Sequence, residues 1–268
     1  MKDFPLFALL TDFGTRDGYV GSLKAAIYKV QPRAQIIDIS HDVAPQDISQ
    51  GAFLLRLAFE DYPPETIFIA VVDPGVGSAR HALLVEAGGR FLLGPDNGLF
   101  SYIYDLHPGF VARKLENRRT FAPQVSSTFH GRDIFAPCAA ALSTGVAPDD
   151  FGPLLEKPPL RCPSARVSIN EHSIHGNLVY VDVFGNLISN IHLTHLKDGS
   201  AIQSVVVNDI QIPLHRTYAE AKNNLMAVWG SSGFLEISWP GGSAVREGRL
   251  RVSAGVTVSL SIFPGPGS

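Results

Sequence analysis

Polar residues of this sequence collect directly after short apolar runs, where strands are expected to end. They lie in four segments, TDFGTRDG (residues 11–18), VVDPGVGSAR (71–80), GPDNG (94–98) and FHGRD (129–133). Carboxylate, guanidinium and imidazole groups brought together can bind hydroxyl groups, orient water and move protons. The candidate residues are Asp12, Asp73, Arg80, Asp96, Asn97, His130, Arg132 and Asp133.

Taken singly, each of these residues has an ordinary structural explanation. An Asp before a Gly is usually a turn or cap residue, and a single His or Arg is usually structural or solvated. The glycines of DPGVG can simply form a tight turn, since the sequence has neither GxGxxG nor GKS/T there. What favours one shared site is that all four segments follow predicted strands, because open α/β sheets bind ligands at the carboxyl ends of their strands.

A metal site is an alternative use of the same aspartates and histidines. Such a ligand set would suit zinc, manganese or iron, which leaves a metal-dependent hydrolase open. However, HxH, HxxxH and HExxH spacings are absent, and two cysteines are too few for a thiolate zinc site or a disulfide scaffold. We therefore expect no metal and no cofactor.

The first part of the chain alternates strand and helix patterns. Apolar runs at Leu6–Asp12, Gln35–Ser40 and Thr66–Asp73 predict strands, followed by HALLVEA and FLLG. Three helices are predicted. They cover Gly18–Val30, the segment GAFLLRLAF with Asp47 as its N-cap, and residues 132–142. This alternation predicts a Rossmann-like α/β domain with a mostly parallel sheet and helices on both faces.

The pattern changes after a proline-rich stretch. Prolines at 153, 158, 159 and 163 indicate a linker, and the helix patterns fade beyond it. Short strands then dominate, and Asn208–Asp209 between VVV and IQI is typical of a hairpin turn. We predict an N-terminal α/β domain over 1–155, a linker over 156–170 and a C-terminal antiparallel β-barrel over 171–268.

Composition narrows the class of partner. The chain has 268 residues, 45% of them hydrophobic, and a formal net charge of −3, which disfavours nucleic acid as a partner. No apolar run reaches the roughly 18 residues of a membrane helix. The segment Met1–Pro5 leads into a strand without a signal-peptide pattern. We expect a cytoplasmic protein that acts on a small molecule.

Six motifs together resemble a known enzyme family. They are TDFG (11–14), ISHDVAPQD (39–47), VVDPGVGSAR (71–80), GPDNG (94–98), FHGRD (129–133) and VDVFGNLISN (181–190). In this order, and over essentially the whole chain, they resemble the S-adenosylmethionine hydroxide adenosyltransferases, relatives of the fluorinase and chlorinase enzymes.

The resemblance implies an α/β N-terminal domain, a C-terminal β-barrel and a homotrimer with active sites between neighbouring subunits. It implies hydrolysis of S-adenosylmethionine to adenosine and methionine without a metal. The residues that match the family's catalytic set are Asp73, Arg80 and His130.

The resemblance also implies substrate contacts. Asp12 matches the carboxylate that holds the ribose diol, and Asp17 and Asp182 match residues near the methionine ammonium. Ser231 matches a contact to the methionine carboxylate. The adenine contacts are matched by Phe184, Asn186 and Tyr218.

Structural explanations of these residues stay open. Asp182 and Asn186 could form an Asx turn at a strand end, and Tyr218 could belong to the barrel core. Ser232 and Trp239 stand where the fluorinase has arginines.

For the reaction itself, methionine leaves as a neutral thioether, so the enzyme must mainly hold water in line with the C5′–S bond. We expect Arg80 to stabilise developing hydroxide, His130 to orient the water or accept its proton, and Asp73 to fix both. The alternatives are a halogenase of the same superfamily and a protein that binds S-adenosylmethionine or adenosine without turnover.

Overall fold

The chain folds into two compact units. The computed structural model describes residues 4–197 and 200–262. The units are Met1–Cys162, here the N-terminal unit, and Pro163–Ser268, here the C-terminal unit. The division lies inside the stretch predicted as a linker, and the finer boundaries 1–155, 156–170 and 171–268 stay a prediction.

The N-terminal unit is built on a six-stranded sheet of order β2-β1-β3-β5-β4-β6. Strands β2, β1, β3 and β5 run parallel, whereas β4 is antiparallel to both β5 and β6. The mostly parallel prediction is confirmed, with a hairpin between β4 and β5 as the exception. The strands are β1 (Leu6–Thr11), β2 (Gln35–Ser40), β3 (Ile67–Val71), β4 (Ala82–Ala87), β5 (Arg90–Pro95) and β6 (Val111–Lys114).

Four α-helices belong to this sheet: α1 (Tyr19–Val30), α2 (Ile48–Phe59), α3 (Ser101–Leu106) and α4 (Ala136–Ser143). The predicted cap is present, because the Asp47 side chain accepts a hydrogen bond from the Gln50 N–H at 2.9 Å. The predicted helix over 132–142 begins as a π-helical turn at Gly131–Phe135 before it becomes α4. Helix α3 had not been predicted.

Both faces of the sheet are covered, which explains why the central strand β3 is apolar and buried at every position. Phe7 and Leu9 of β1 pack in one cluster with Leu23 and Ile27 of α1. Leu10, the next residue of β1, points to the opposite face and is also fully buried. Each such side chain contributes about 1.5–3 kcal/mol when it leaves water.

The C-terminal unit is an eight-stranded sheet of order β11-β10-β14-β8-β9-β13-β12, with β7 also paired to β8. Every strand pair described here is antiparallel. The strands are β7 (Ser168–Ile169), β8 (Ser173–Val181), β9 (Leu187–His192), β10 (Ser200–Val207), β11 (Ile210–Ile212), β12 (Met226–Trp229), β13 (Phe234–Ser238) and β14 (Gly255–Ile262).

The sheet curls because β8 changes partner along its length. Residues 173–177 of β8 pair with β14, and residues 178–181 pair with β9. A bridge from Leu214 to Ala227 brings the chain after β11 back to β12, so the sheet is nearly a closed barrel, as predicted. The predicted hairpin turn is also present, with φ of 46° at Asn208 and 66° at Asp209.

No helix among the described residues is both long enough and apolar enough to cross a membrane.

Candidate active site

The carboxyl ends of β1 and β3 lie side by side and bring the first predicted residues together. Thr11 pairs in register with Val71, so the segments that follow start from the same edge of the sheet. Asp12, Asp73 and His130 line one cavity of about 250 Å³. Its other walls are Phe13, Gln46, Val71, Pro74, Val76, Thr128, Phe129 and Gly131.

Arg80 ties Asp73 to His130. Its Nε donates to Asp73 Oδ1 at 3.1 Å, and its Nη2 contacts both Asp73 Oδ2 and, at 2.9 Å, His130 Nδ1. The side chains of Arg80 and Asp73 are only 9% and 4% exposed. A buried ion pair of this kind is held firmly because both charges are paired and hydrogen-bonded.

This contact assigns the hydrogen on the His130 ring. A guanidinium has only donors, so His130 Nδ1 must be the acceptor of the Arg80 hydrogen bond. The neutral ring then carries its hydrogen on Nε2. Burial, and after it the charge of Arg80, lowers the pKa of His130, while Asp73 and Asp133 oppose the shift. The ring is therefore neutral at neutral pH.

The loop that carries Asp73 and Arg80 packs directly on the loop before His130. The two loops meet at Gly77, where φ is +77° and a β-carbon would collide with the carbonyl oxygen of Ser127. Any other residue would strain the backbone and push the loops apart. The second glycine of DPGVG, Gly77, thus allows the close loop packing that keeps Arg80 within reach of His130.

Asp12 is anchored but keeps acceptor capacity. Its Oδ2 accepts a hydrogen bond from the Gln46 N–H at 2.8 Å, and Gln46 has a left-handed φ of 66°. A carboxylate has about four acceptor positions, so Asp12 can still accept from a vicinal diol. Asp17, in contrast, is exposed and does not line this cavity.

All five candidates from the C-terminal part line a second, larger pocket of about 950 Å³. They are Asp182, Phe184, Asn186, Tyr218 and Ser231. Arg216, Trp229, Glu236, Trp239 and Arg246 share its walls. Aromatic faces beside a few polar groups are what a nucleoside pocket requires.

Asp182 and Asn186 do form an Asx-type turn. Asp182 Oδ1 accepts from the N–H groups of Phe184 (2.9 Å) and Asn186 (2.8 Å), and Oδ2 accepts from Asn186 Nδ2 (2.8 Å). Much of the acceptor capacity of Asp182 is therefore already used by hydrogen bonds within its own loop. The Asn186 amide retains a second N–H and an oxygen with which to read a base edge. The loop also presents Phe184, which is 76% exposed.

Tyr218 lies on the pocket wall, so its assignment to the barrel core is wrong. It is 45% exposed, and its hydroxyl donates to Glu236 Oε2 at 2.6 Å. Burial raises the pKa of Glu236, and the charge of Asp182 adds to the shift, whereas the Tyr218 hydrogen bond opposes it.

Sequence reasoning missed several residues of these pockets. Gln46 was quoted only as part of a motif, although its N–H holds Asp12. Glu236 carried a usable signal, since it is the one acid inside the otherwise buried strand FLEIS. Arg216 and Arg246 lie in loops without a recognisable pattern, so no local signal would have found them.

Two other candidates have structural roles. Asp96 is buried and accepts a hydrogen bond from the Leu160 N–H at 2.9 Å. Asn97 donates from Nδ2 to the Val72 carbonyl at 2.8 Å. The GPDNG segment therefore braces the end of β3. Among the described residues, no group of three or more His, Cys, Asp or Glu could hold a metal ion.

Comparison with known proteins places the chain in a family. The models for the SAM hydroxide adenosyltransferase N-terminal and C-terminal domains match residues 7–152 and 176–257. The protein named (R)-S-adenosyl-L-methionine hydrolase of Thermus thermophilus is 37% identical over 94% of this chain and 97% of its own. The protein of that name from Methanocaldococcus jannaschii is 34% identical over 87% of this chain and 88% of its own.

More distant and structural relatives agree. A fluorinase of Actinoplanes sp. is 24% identical over 81% of this chain and 84% of its own. The crystal structure of an uncharacterized conserved protein from Thermotoga maritima superposes with a TM-score of 0.83, at 31% identity over 94% of this chain and 99% of that one. The N-terminal model alone matches more than half of the 268 residues. The chain belongs to the SAM hydroxide adenosyltransferase family.

Proposed function

We propose that this enzyme hydrolyses S-adenosylmethionine to adenosine and methionine. Water attacks C5′ of the ribose, the C5′–S bond breaks, the sulfur keeps the electron pair, and one proton is released. The observation that carries the proposal is the network of His130 with the buried Asp73–Arg80 ion pair at the cavity of a chain from this family. Because relatives at 34–37% identity are named for the (R) epimer, we propose the (R)-sulfonium as substrate.

The geometry supports a positioning role for His130. Its Nδ1 is occupied by Arg80, so Nε2–H is the atom that remains to hold the attacking water. Arg80 in turn gives its other hydrogen bonds to Asp73 and to the His81 carbonyl. Arg80 therefore acts mainly by orienting His130. Holding the reacting groups in line can supply roughly 7–11 kcal/mol of a barrier in total, of which the placement of the water by His130 is one part.

The reaction does not need a base of matched pKa. Attack by neutral water forms a protonated 5′-hydroxyl, which is a strong acid and passes its proton to surrounding water. The thioether leaves without protonation, so no general acid and no cofactor are required. The positive charge moves from the sulfur to the new oxygen as the C5′–S bond breaks, and it leaves the nucleoside with the released proton.

Substrate binding would use both pockets. Asp12 would hold the ribose diol, and in the larger pocket Phe184, Asn186 and Tyr218 would bind adenine. Ser231 would contact the methionine carboxylate, while Asp182 and Asp17 would lie near its ammonium. We propose a homotrimer in which the N-terminal unit of one subunit and the C-terminal unit of the next complete each site. We also propose a cytoplasmic location, because the two cysteines of the sequence are too few for a disulfide scaffold.

Halogenation is the main alternative reaction. The fluorinase relatives are 22–24% identical to this chain, against 34–37% for the proteins named as hydrolases. The second alternative is binding without turnover.

Product analysis separates these functions. Purified protein is incubated with the (R) and the (S) epimer in turn, with and without chloride or fluoride, and the nucleoside is identified by mass spectrometry. We expect adenosine, formed faster from the (R) epimer and unaffected by halide. A 5′-halogenated nucleoside would establish the halogenase, and substrate bound but unchanged would establish a binding protein.

The assembly proposal has its own test. An Asp12→Ala chain and an Asn186→Ala chain are co-expressed with different tags, and mixed oligomers are purified through both tags. If each site is shared by neighbours, every mixed trimer that carries both tags has one site with two intact halves, or about one-third of its sites. Activity should then exceed that of either variant alone. Mixed oligomers no more active than the parents, or a fully active monomer by light scattering, would contradict the shared site.

A further inference from the structure

A third carboxylate, Asp133, lies in the N-terminal unit next to the proposed site. The residue is only 2% exposed. Arg132 donates to it from Nε at 2.6 Å and from Nη2 at 2.9 Å, and the Ser126 N–H donates to its Oδ2 at 2.8 Å. Burial opposes ionisation, yet these hydrogen bonds outweigh it and lower the pKa of Asp133. Asp133 is therefore a buried anion at neutral pH.

Asp133 closes the loop that leads to His130. Its carbonyl oxygen accepts from the Ala122 N–H at 2.8 Å, and its own N–H donates to the Phe129 carbonyl at 3.1 Å. The Ser126 N–H donates to the carboxylate of the same residue. Asp133 therefore holds the start, the middle and the end of the 122–130 segment. Here the π-helical turn begins at Gly131, and such turns are frequent at functional sites.

The same segment supplies one wall of the reaction cavity. Thr128, Phe129 and His130 all line it. The Thr128 N–H donates to Ser126 Oγ at 3.2 Å, so the anchor at Ser126 extends to the cavity wall. On its other side the segment is packed against Gly77 of the loop that carries Arg80. A shift of this segment would therefore change the distance between His130 and Arg80.

We propose that Asp133 is a positioning residue for the hydrolysis: its carboxylate fixes the 122–130 segment so that His130 meets Arg80 and the attacking water. The proposal rests on the proposed function, and Asp133 touches no substrate atom in it.

The charged groups around His130 predict how its pKa should change when the Asp133 charge is removed. Arg80, Asp73 and Asp133 act on the ring, and Asp12 lies in the same cavity. Both carboxylates that act on it, Asp73 and Asp133, raise the pKa of His130, against burial and Arg80. Removal of the Asp133 charge should therefore lower the pKa of His130. Because neutral His130 is the form that accepts the Arg80 hydrogen bond, the acid limb of kcat/KM should move to lower pH.

The test compares Asp133→Asn, Asp133→Ala and a control, Asp149→Asn. Asp149 also pairs with an arginine, Arg113 at 2.5 Å, but it is exposed and lines neither pocket. Asp133→Asn keeps an oxygen for the Ser126 N–H, whereas Asp133→Ala keeps none. We expect kcat to fall by about 10²-fold in Asp133→Ala and less in Asp133→Asn, with KM nearly unchanged. The acid limb should shift in Asp133→Asn, and Asp149→Asn should match the wild type.

Folding and function are controlled separately. Circular dichroism and the thermal midpoint report whether each variant is folded. If Asp133→Ala is not folded, the conclusion is drawn from Asp133→Asn. The His130 ring is also titrated by NMR, its signal being assigned by its loss in His130→Ala. Failure of the wild type to hydrolyse substrate would overturn the proposed function, and the NMR shift would still test the Asp133 contact. An unshifted His130 titration together with an unchanged kcat would overturn the role of Asp133.

Discussion

The two pockets of this molecule are built in opposite ways. The cavity of the N-terminal unit is small, about 250 Å³, and its ion pair is almost fully buried, with Arg80 9% and Asp73 4% exposed. The pocket of the C-terminal unit is about 950 Å³ and presents Phe184, which is 76% exposed. The groups assigned to water are thus fixed before substrate arrives, whereas the groups assigned to the nucleoside are open.

This difference follows from what each pocket has to do. A reacting water must be held in a narrow range of positions, and preorganised donors cost no rearrangement during the reaction. Stacking on a base tolerates small displacements, since its energy comes from broad contact between faces. Substitutions of the groups that position water should therefore change kcat. Substitutions of the groups that bind the nucleoside, including Asp12 in the first cavity, should change KM.

The largest effect is expected for His130→Ala and Arg80→Ala. The first removes the group that holds the water and the second the group that orients it, so kcat should fall by roughly 10²–10⁴-fold if proton transfer is assisted, with KM nearly unchanged. A loss near the lower end of this range would indicate that the network only orients the water. The contact between Arg80 and His130 Nδ1 favours that role. Arg80→Lys keeps the charge but cannot reach Asp73 and His130 together, and we expect it to resemble Arg80→Ala. Wild-type kcat in both alanine variants would mean that the network is structural.

Asp12→Ala should come next and should act on binding. The ribose diol would lose a charged acceptor, and a hydrogen bond to a charged group contributes about 1.5–3 kcal/mol, or roughly a 10- to 150-fold increase in KM. Asp61→Ala, which removes an exposed carboxylate at the end of α2, serves as control. A fall in kcat without a change in KM would move Asp12 from binding to the chemical step.

Phe184→Ala should have a smaller effect, confined to KM. An aromatic contact contributes about 0.5–1.5 kcal/mol, so KM should rise roughly two- to twelvefold. Phe184 is largely exposed, and its loss should leave the thermal midpoint unchanged. A lowered midpoint or an unchanged KM would contradict its assignment to adenine.

The smallest expected effect is on the pH dependence of activity, and it tests the protonation state of His130. Its pKa is lowered by burial and by Arg80, so the ring should become protonated only below its ordinary value of about 6.5. Activity should therefore persist as the pH falls through 6.5 and be lost at more acid pH, as the Nδ1 acceptor disappears. The residual activity of His130→Ala should lack this limb. An acid limb above pH 6.5 in the wild type would contradict the assignment.

Residues whose position depends on the backbone could be predicted from the sequence. Asp12 and Asp73 follow buried strands, and parallel strands carry them to one edge of the sheet. The turn at Asn208–Asp209 was predicted for a similar reason, because its residue types tolerate positive φ. The antiparallel β4–β5 hairpin was not anticipated, although Gly88 and Gly89, both with positive φ, mark its turn.

Side-chain contacts could not be predicted in the same way. Arg80 and His130 are separated by 50 positions, and their hydrogen bond depends on rotamers and on the close packing of two loops at Gly77. For Asp182 the resemblance implied a ligand contact and the sequence left an Asx turn open, and the structure shows the turn. Asp17 is placed by resemblance alone.

The central claim is that water, held by His130, supplies the new oxygen of the nucleoside. The most direct measurement is turnover of (R)-S-adenosylmethionine in oxygen-18 water, followed by mass spectrometry of the nucleoside and the amino acid. The account predicts adenosine that carries one heavy oxygen at the 5′ position and methionine that carries none. Unlabelled adenosine, or a nucleoside with halide at C5′, would contradict it.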